Sequence, residues 1–378
     1  MPNKTSKHGF ALIVVLFIVM AITILSLGFL SRSSTASIAG NNMEICIQTG
    51  YLAESGLDHA RSLILNPQDI ATGYWTGATA QQLVTGSDDY YDVSVTKLGE
   101  LNYRINSTGY KLRDSEQIGR SSLQAELRLD PCIALWTGSS AVTFETVING
   151  DVYCSGNLAV NGQINGDASA SGDIFGTNVT GRISSRVSSP PLGLPGLNVL
   201  NFSSQYYYNN SGPYSVGIVA PGVCNELGLG PNPGNPAGVY YCNGTLDLTG
   251  NTFINGMLVV KDDLRIWYGA PVSITAVKNF PALLVGHDIT MESNNSNLTV
   301  TGLAQVGNHI DMQNKFGGRI TISGALVALG DGIKNTMGCT CNITVFPNKA
   351  AIETWGGSGN VQRWSPAVGT IFKSIKRQ

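Results

Sequence analysis

The feature that most limits what this chain can become is an uninterrupted apolar run, Phe10 to Leu30, that contains no charged residue. Wound as a helix, its 21 residues reach about 31 Å, the thickness of the hydrocarbon core of a bilayer. Lys4, Lys7 and His8 precede the run, and Arg32 is the only charge in the dozen residues after it. That bias puts the N-terminus in the cytoplasm and the remainder outside. A cleaved secretory signal has a shorter apolar stretch and a nearby small-residue site. Here Ser37-Ile38-Ala39 stands too far away to serve. A plain signal anchor fits the hydropathy as well as anything more specialised.

The helix is expected to continue well past the span. Ile38/Ala39, Ile45/Cys46, Leu52/Ala53 and His59/Ala60 recur at seven-residue intervals, a stripe that keeps facing one way on a helix. Cys46 lies in that stripe and is expected as a small buried hydrophobe against an attached domain. Asn66-Pro67 should end the helix, since a residue before proline is pushed out of the α region. A helix from Phe10 to Leu65 would be about 84 Å long, so half of it must lie in lipid or in a filament core.

Specific residues decorate this helix. Lys7-His8-Gly9-Phe10-Ala11-Leu12-Ile13 resembles the site cut by prepilin peptidase, where a short basic leader ends in Gly and the mature chain opens on Phe. Ala39-Gly40-Asn41 and Tyr51-Leu52-Ala53-Glu54-Ser55-Gly56-Leu57 resemble the early helix of PilX-type minor pilins of type IV pili. The resemblance covers residues 7–66. It implies cleavage after Gly9, N-methylation of Phe10, a membrane and filament helix carrying Phe10, Leu12, Val14 and Leu16, and passage through the bacterial inner membrane into a pilus or pseudopilus. Its implied partners are the peptidase, other pilins or pseudopilins, and inner-membrane lipid. One position departs from the pattern: ordinary pilins have Glu fifth in the mature chain, and here that residue is Val14. Lack of the Glu resembles subunits that cap the tip, such as the K-type pseudopilin of type II secretion, so a minor or tip subunit is expected.

The remaining 300-odd residues carry little charge: charged residues are 13% of the chain and the net charge is −2. No basic footprint for nucleic acid is present, and nucleic acid is dropped as a partner. The 45 glycines follow no collagen triplet and suit a β-rich protein with many tight turns. Seven cysteines, Cys46, Cys132, Cys154, Cys224, Cys242, Cys339 and Cys341, include no CxxC. That spacing argues against zinc. Cys224 and Cys242 are the best candidates for a disulfide. No metal or other cofactor is expected. Asp88, Asp89 and Asp92 could be cast as calcium ligands but lack the alternating spacing of a calcium loop.

Three alternating segments, Tyr91–Thr96, Leu101–Gly109 and Ser121–Leu129, predict an antiparallel meander with Leu98-Gly99-Glu100 at its first turn. The helix stripe is its obvious cover. From Gly150 the pattern changes to turn, short strand, turn: Gly150-Asp151-Val152, Gly156-Asn157-Leu158, Gly162-Gln163-Ile164, Gly166-Asp167-Ala168, Gly172-Asp173-Ile174. A longer repeat comes next. Met257–Leu264 matches Ala282–Ile289, Leu303–Ile310 and Leu326–Ile333, with 25, 21 and 23 residues between the final apolar positions. Such a unit is one turn of a parallel β-helix. The expected fold is therefore mainly β with one long N-terminal α-helix: a leader at 1–9, the pilin-like helix at 10–66, a three-stranded head at 67–130, and a right-handed β-solenoid at 131–378 interrupted by an insertion at 185–240.

The repeat would stack Asp262, His287, Asn308 and Asp331 in one column, and Asp263, Asp288 and His309 in the next. A membrane-tethered polysaccharide lyase or hydrolase could use such acids with Arg265 or Lys334 as base. Asp, Asn and Gly at tight turns are equally expected from backbone geometry, and no catalytic residue is assigned. A polymerising scaffold of the bactofilin kind would not need the leader. The expected role is pilus assembly, surface adhesion or secretion, with a surface ligand or glycan as a further partner of the solenoid.

Overall fold

The computed structural model describes residues 8–65, 74–99, 102–138, 146–190, 204–208, 211–267, 271–277, 280–334, 340–344 and 370–377. Among the described residues there is one helix, α1 (His8–Leu65), which runs through 58 residues, about 87 Å at 1.5 Å per residue. The expected leader residues 1–7 and the stop signal Asn66-Pro67 lie outside the described residues; the described helix ends at Leu65.

The C-terminal part of α1 lies on an antiparallel sheet of five strands: β1 (Gly77–Gln82), β2 (Asp89–Gly99), β3 (Asn102–Arg113), β4 (Glu116–Leu129) and the chain's last strand, Thr370–Arg377. Alternation sorts their side chains, so that Val93, Val95, Tyr103, Ile105, Ala125 and Leu127 are buried beneath the helix. On α1 the buried ridge is Thr49, Leu52, Ala53, Leu57, Ala60 and Ile64, the i, i+3/i+4 spacing of one helix face. Close approach depends on Gly109, where an added Cβ would strike the Thr49 carbonyl oxygen and the Ala53 nitrogen. Two expectations need correction. The meander has five strands, because β1 and the returning C-terminal strand flank the expected three; residues 370–377 therefore belong to the head. Cys46 is exposed, because the sheet reaches up the helix only as far as Gly119, which abuts Ile45.

Beyond the head the chain forms a parallel β-solenoid whose coils carry three short strands, one on each of three faces. The first face contains ten parallel strands in the order Ile183–Ser184, Ala168–Ala170, Asp151–Cys154, Ile133–Thr137, Arg319–Ala328, Asn297–Val306, Leu283–Val285, Met257–Val260, Val239–Cys242, Gly217–Val219. That order is not the chain order. The polypeptide enters the stack in its middle at Ile133 and winds to one end at Ser184. It then re-enters at the far end at Gly217 and winds back until Leu326 pairs with Leu135. The crossing bridges nine strand spacings, about 43 Å.

That crossing explains a sequence pattern. Met257–Val260, Leu283–Val285, Ile133–Thr137 and Asp151–Cys154 are buried at every position, as befits parallel strands covered on both sides. Leu258, Val260, Leu283, Val285 and Val152 face the interior. Their neighbours Trp136, Tyr153 and Val327 pack with Val187, and Met257, Val259 and Leu284 pack with Tyr206 and Val216. Val187, Tyr206 and Val216 belong to the two described ends of the crossing, so those ends cover the outside of this face. The expected insertion at 185–240 is thus smaller. Gly217–Val219, Gly222–Cys224, Leu227–Leu229 and Val239–Cys242 are regular solenoid strands, disguised in the sequence by the Pro- and Gly-rich loop between them.

The corner from the second face to the first is made by glycine. Gly302 and Gly324 have φ of +126° and +153°, and a Cβ on Gly324 would strike the Gly302 carbonyl oxygen. The third face stacks Leu264, Ile289, Ile310 and Ile333 in register, the column the repeat predicts. Early coils are shorter: Val152 pairs with Ala168 and Ala168 with Ile183, so the closely spaced Gly-Asp signals mark coils of about sixteen residues.

Candidate functional site

Two places concentrate features that a self-contained globular domain does not need: the bare half of α1 and the joint between head and solenoid.

On α1 every described side chain from Leu12 to Leu30 is exposed. Leu12 is 70% exposed, Leu16 66% and Val14 41%. The segment is long and apolar enough to cross a membrane and makes a candidate anchor. Of its two hydroxyl residues, Thr23 and Ser26, Thr23 donates to the Val19 carbonyl oxygen at 2.7 Å, the bond a hydroxyl needs where water is absent. Gly9 and Phe10 stand in the first helical turn. Leaving so many Leu, Ile, Val and Phe side chains in water forgoes tens of kcal/mol of burial, so this surface is built to be covered.

At the joint, acids from successive coils form a ladder. Asp151 accepts the Cys132 N–H at 2.8 Å and the Asp167 N–H at 2.9 Å, and Asp167 accepts the Arg182 N–H at 2.8 Å. Arg128, on β4 of the head, reaches into this ladder, 3.1 Å from Asp151 and 3.2 Å from Asp167. Arg182 joins Asp167 to Asp130, both at 2.7 Å. Burial pushes the Asp151 carboxyl up, against the pull of its two backbone donors and Arg128. Burial also pushes Asp167 upward, but the backbone and side chain of Arg182, with Arg128, outweigh it and hold that carboxyl low. The arrangement is a clamp that fixes the solenoid against the head. The Gly-Asp repeat hinted at the ladder; nothing in the sequence located Arg128 beside it.

The turn columns come together in part. His287 N–H donates to the Asp262 carbonyl oxygen at 3.1 Å, and Asn308 N–H to that of His287 at 3.0 Å. The next member is Gly330, whose N–H meets the Asn308 carbonyl oxygen at 2.8 Å. Asp331 is therefore not in the column: Leu303 pairs with Ala325, not Leu326, and the extra residue is absorbed in the turn before Ile333. The second column does stack. Asp263 accepts the Asp288 N–H at 3.3 Å, and Asp288 accepts the His309 N–H at 3.2 Å. Arg265 pairs with Asp263 at 3.2 Å and Lys334 with Asp331. These acids close turns on the next coil. Asp92 likewise accepts the Ala80 N–H at 2.7 Å, and Asp89 lies 3.3 Å from Lys111. Cys224 and Cys242 are both thiols and not a disulfide, as they stand on different faces of the solenoid; Cys339 lies outside the described residues.

No family model and no curated protein matches the chain. Among solved structures it is similar to the crystal structure of the competence-associated pilin ComZ from Thermus thermophilus, at 11% identity, over 88% of this chain and 97% of that one, with a TM-score of 0.28. A likeness at that level carries no argument about function.

Proposed function

We propose that this chain is a minor or tip subunit of a type IV pilus or type II secretion pseudopilus. The carrying observation is the divided helix: its C-terminal half is built into the head, while Leu12–Leu30 is bare, apolar and free of charge. A surface of that kind is covered by lipid before assembly and by similar helices after it. The motif around Gly9 and Phe10 supports processing by prepilin peptidase and N-methylation of Phe10. Val14, where the resemblance expects Glu, supports a capping position, since a subunit with no carboxylate there offers no partner to a neighbour's terminal amine. The head and solenoid then lie outside the inner membrane, with adhesion or assembly priming as the role and no catalytic step assigned.

Co-expression with a prepilin peptidase tests the reading. The mature chain should begin at Phe10, nine residues shorter by mass, and Gly9→Leu should abolish the shift. An unshortened wild-type chain would sink the proposal.

A further inference from the structure

The second face of the solenoid is used neither by the anchor nor by the clamp. Two columns of its outward positions carry hydroxyls in register. One contains Ser273, Thr299 and Thr321, and the other Thr275, Thr301 and Ser323. The second column continues through position 344 to Asn149 and Asn165 on the coils nearest the head. Strand geometry sets the grid: about 4.8 Å between coils and about 6.6 Å between alternate residues of a strand.

Three observations say what this grid suits. First, these two columns bear no charge and the column beside them, Pro271, Asn297, Arg319 and Thr340, bears one, whereas outward positions on the third face include Asp247, Arg265, Asp311 and Lys334. Second, among the described residues none of the six hydroxyls of Ser273, Thr275, Thr299, Thr301, Thr321 and Ser323 is used by another group of the protein, so each can donate and accept at the surface. Third, the columns run toward a shallow cleft of about 470 Å³ lined by Asn161, Gln163, Asn178 and Thr180. There the amides are already ordered, Asn165 donating to Asn149 at 2.8 Å and Gln163 to Asn165 at 2.9 Å.

A polyanion would require cations on the surface, and strand addition requires an open edge, which the middle of a sheet lacks. Uncharged, two-way hydrogen-bonding groups repeated at fixed intervals complement a polymer that presents its own hydroxyls at regular intervals. Single contacts of this kind are weak, so repetition along the coil axis is what gives retention. We propose that this face binds a neutral polysaccharide lying along the solenoid axis. The proposal rests on the reading that the solenoid is displayed outside the membrane.

The test uses the full chain in detergent, incubated with microcrystalline cellulose and with chitin, and run by affinity electrophoresis in dextran and in alginate. Retention by at least one neutral polysaccharide is expected, with none by alginate. Thr299→Val/Thr321→Val keeps the β-branched shape and removes two hydroxyls; it should weaken retention about tenfold at an unchanged melting temperature. Thr290→Val on the third face should leave retention intact. Failure of the wild type on all three neutral polymers, equal retention by the double variant, or capture by alginate alone would overturn the proposal. Peptidase processing is read separately, so retention without processing would fault the pilin reading and not this one.

Discussion

Thr137 donates its hydroxyl to the carbonyl oxygen of Gly330 at 3.0 Å, joining residues 193 positions apart in sequence. This bond lies on the seam where the returning half of the solenoid meets the first. The same seam pairs Leu326 with Leu135, Val327 with Trp136 and Ala328 with Thr137. Leu326→Ala would open a cavity in a fully buried site and should cost about 3 kcal/mol, read from the denaturant midpoint. A protease site inserted within 191–203 should, after cutting, leave two fragments that co-elute in size-exclusion chromatography. Separation of the fragments without denaturant would show that the seam does not hold.

Arg128 should matter more at neutral than at acid pH. Asp151 has a raised carboxyl, so its own contribution is full at low pH and is lost as pH rises from the unfolded range near 3.9 through its higher folded value. Asp167, held low, contributes above that range and loses its effect as pH falls. Arg128→Ala removes the cation that makes an ionised Asp151 tolerable, and at pH 7 it should cost about 3 kcal/mol. At pH 4 Asp151 can neutralise itself and the deficit should shrink. Melting curves at the two pH values check this; an equal deficit at both would refute the clamp as described.

Gly109 should be intolerant of any side chain. Gly109→Val places a branched carbon where the backbone of α1 passes, and undocking the helix or shifting the sheet should cost about 2 kcal/mol or more. Hydrogen exchange should then rise over Ile45–Leu65 ahead of the solenoid. By contrast Gly40, with nothing within 4 Å of its would-be Cβ, should accept Ala with a gain of about 0.5–1 kcal/mol.

A charge in the middle of the bare segment should compromise it as a membrane span. Ala21→Arg adds about 3 kcal/mol to insertion at the centre of a span. The variant should move from the carbonate-resistant membrane fraction towards the soluble or aggregated fraction, while the wild type remains with the membrane. Unchanged resistance of the variant would count against a span centred there.

Much of this fold was legible because its periodicities are strong. The helix announced itself by an unbroken apolar run, the head by alternation such as Val93 and Val95, and the solenoid by the recurrence of Leu264, Ile289, Ile310 and Ile333. What escaped was neighbourhood across the chain. A repeat says that coils stack, not which coil adjoins which, so the docking of Leu326 on Leu135 was invisible. One added residue in a turn displaced Asp331 from its column. Cys46 followed the helical stripe, but the stripe continues beyond the edge of the sheet that would bury it. The candidate site was half legible: the apolar helix was, whereas the clamp unites Arg128 with acids from two coils that only the fold brings together.

The last strand of the head has a consequence for how the protein comes into being. Thr370–Arg377 covers β4 from Leu123 to Leu129, yet it follows the whole solenoid in the chain. While the ribosome is still producing the solenoid, α1 and four strands of the head can already be in place, with that edge of β4 lying open. An open strand edge invites pairing with another chain. The head is thus sticky until the solenoid is complete, and its edge is sealed only once residues 370–377 have joined the sheet.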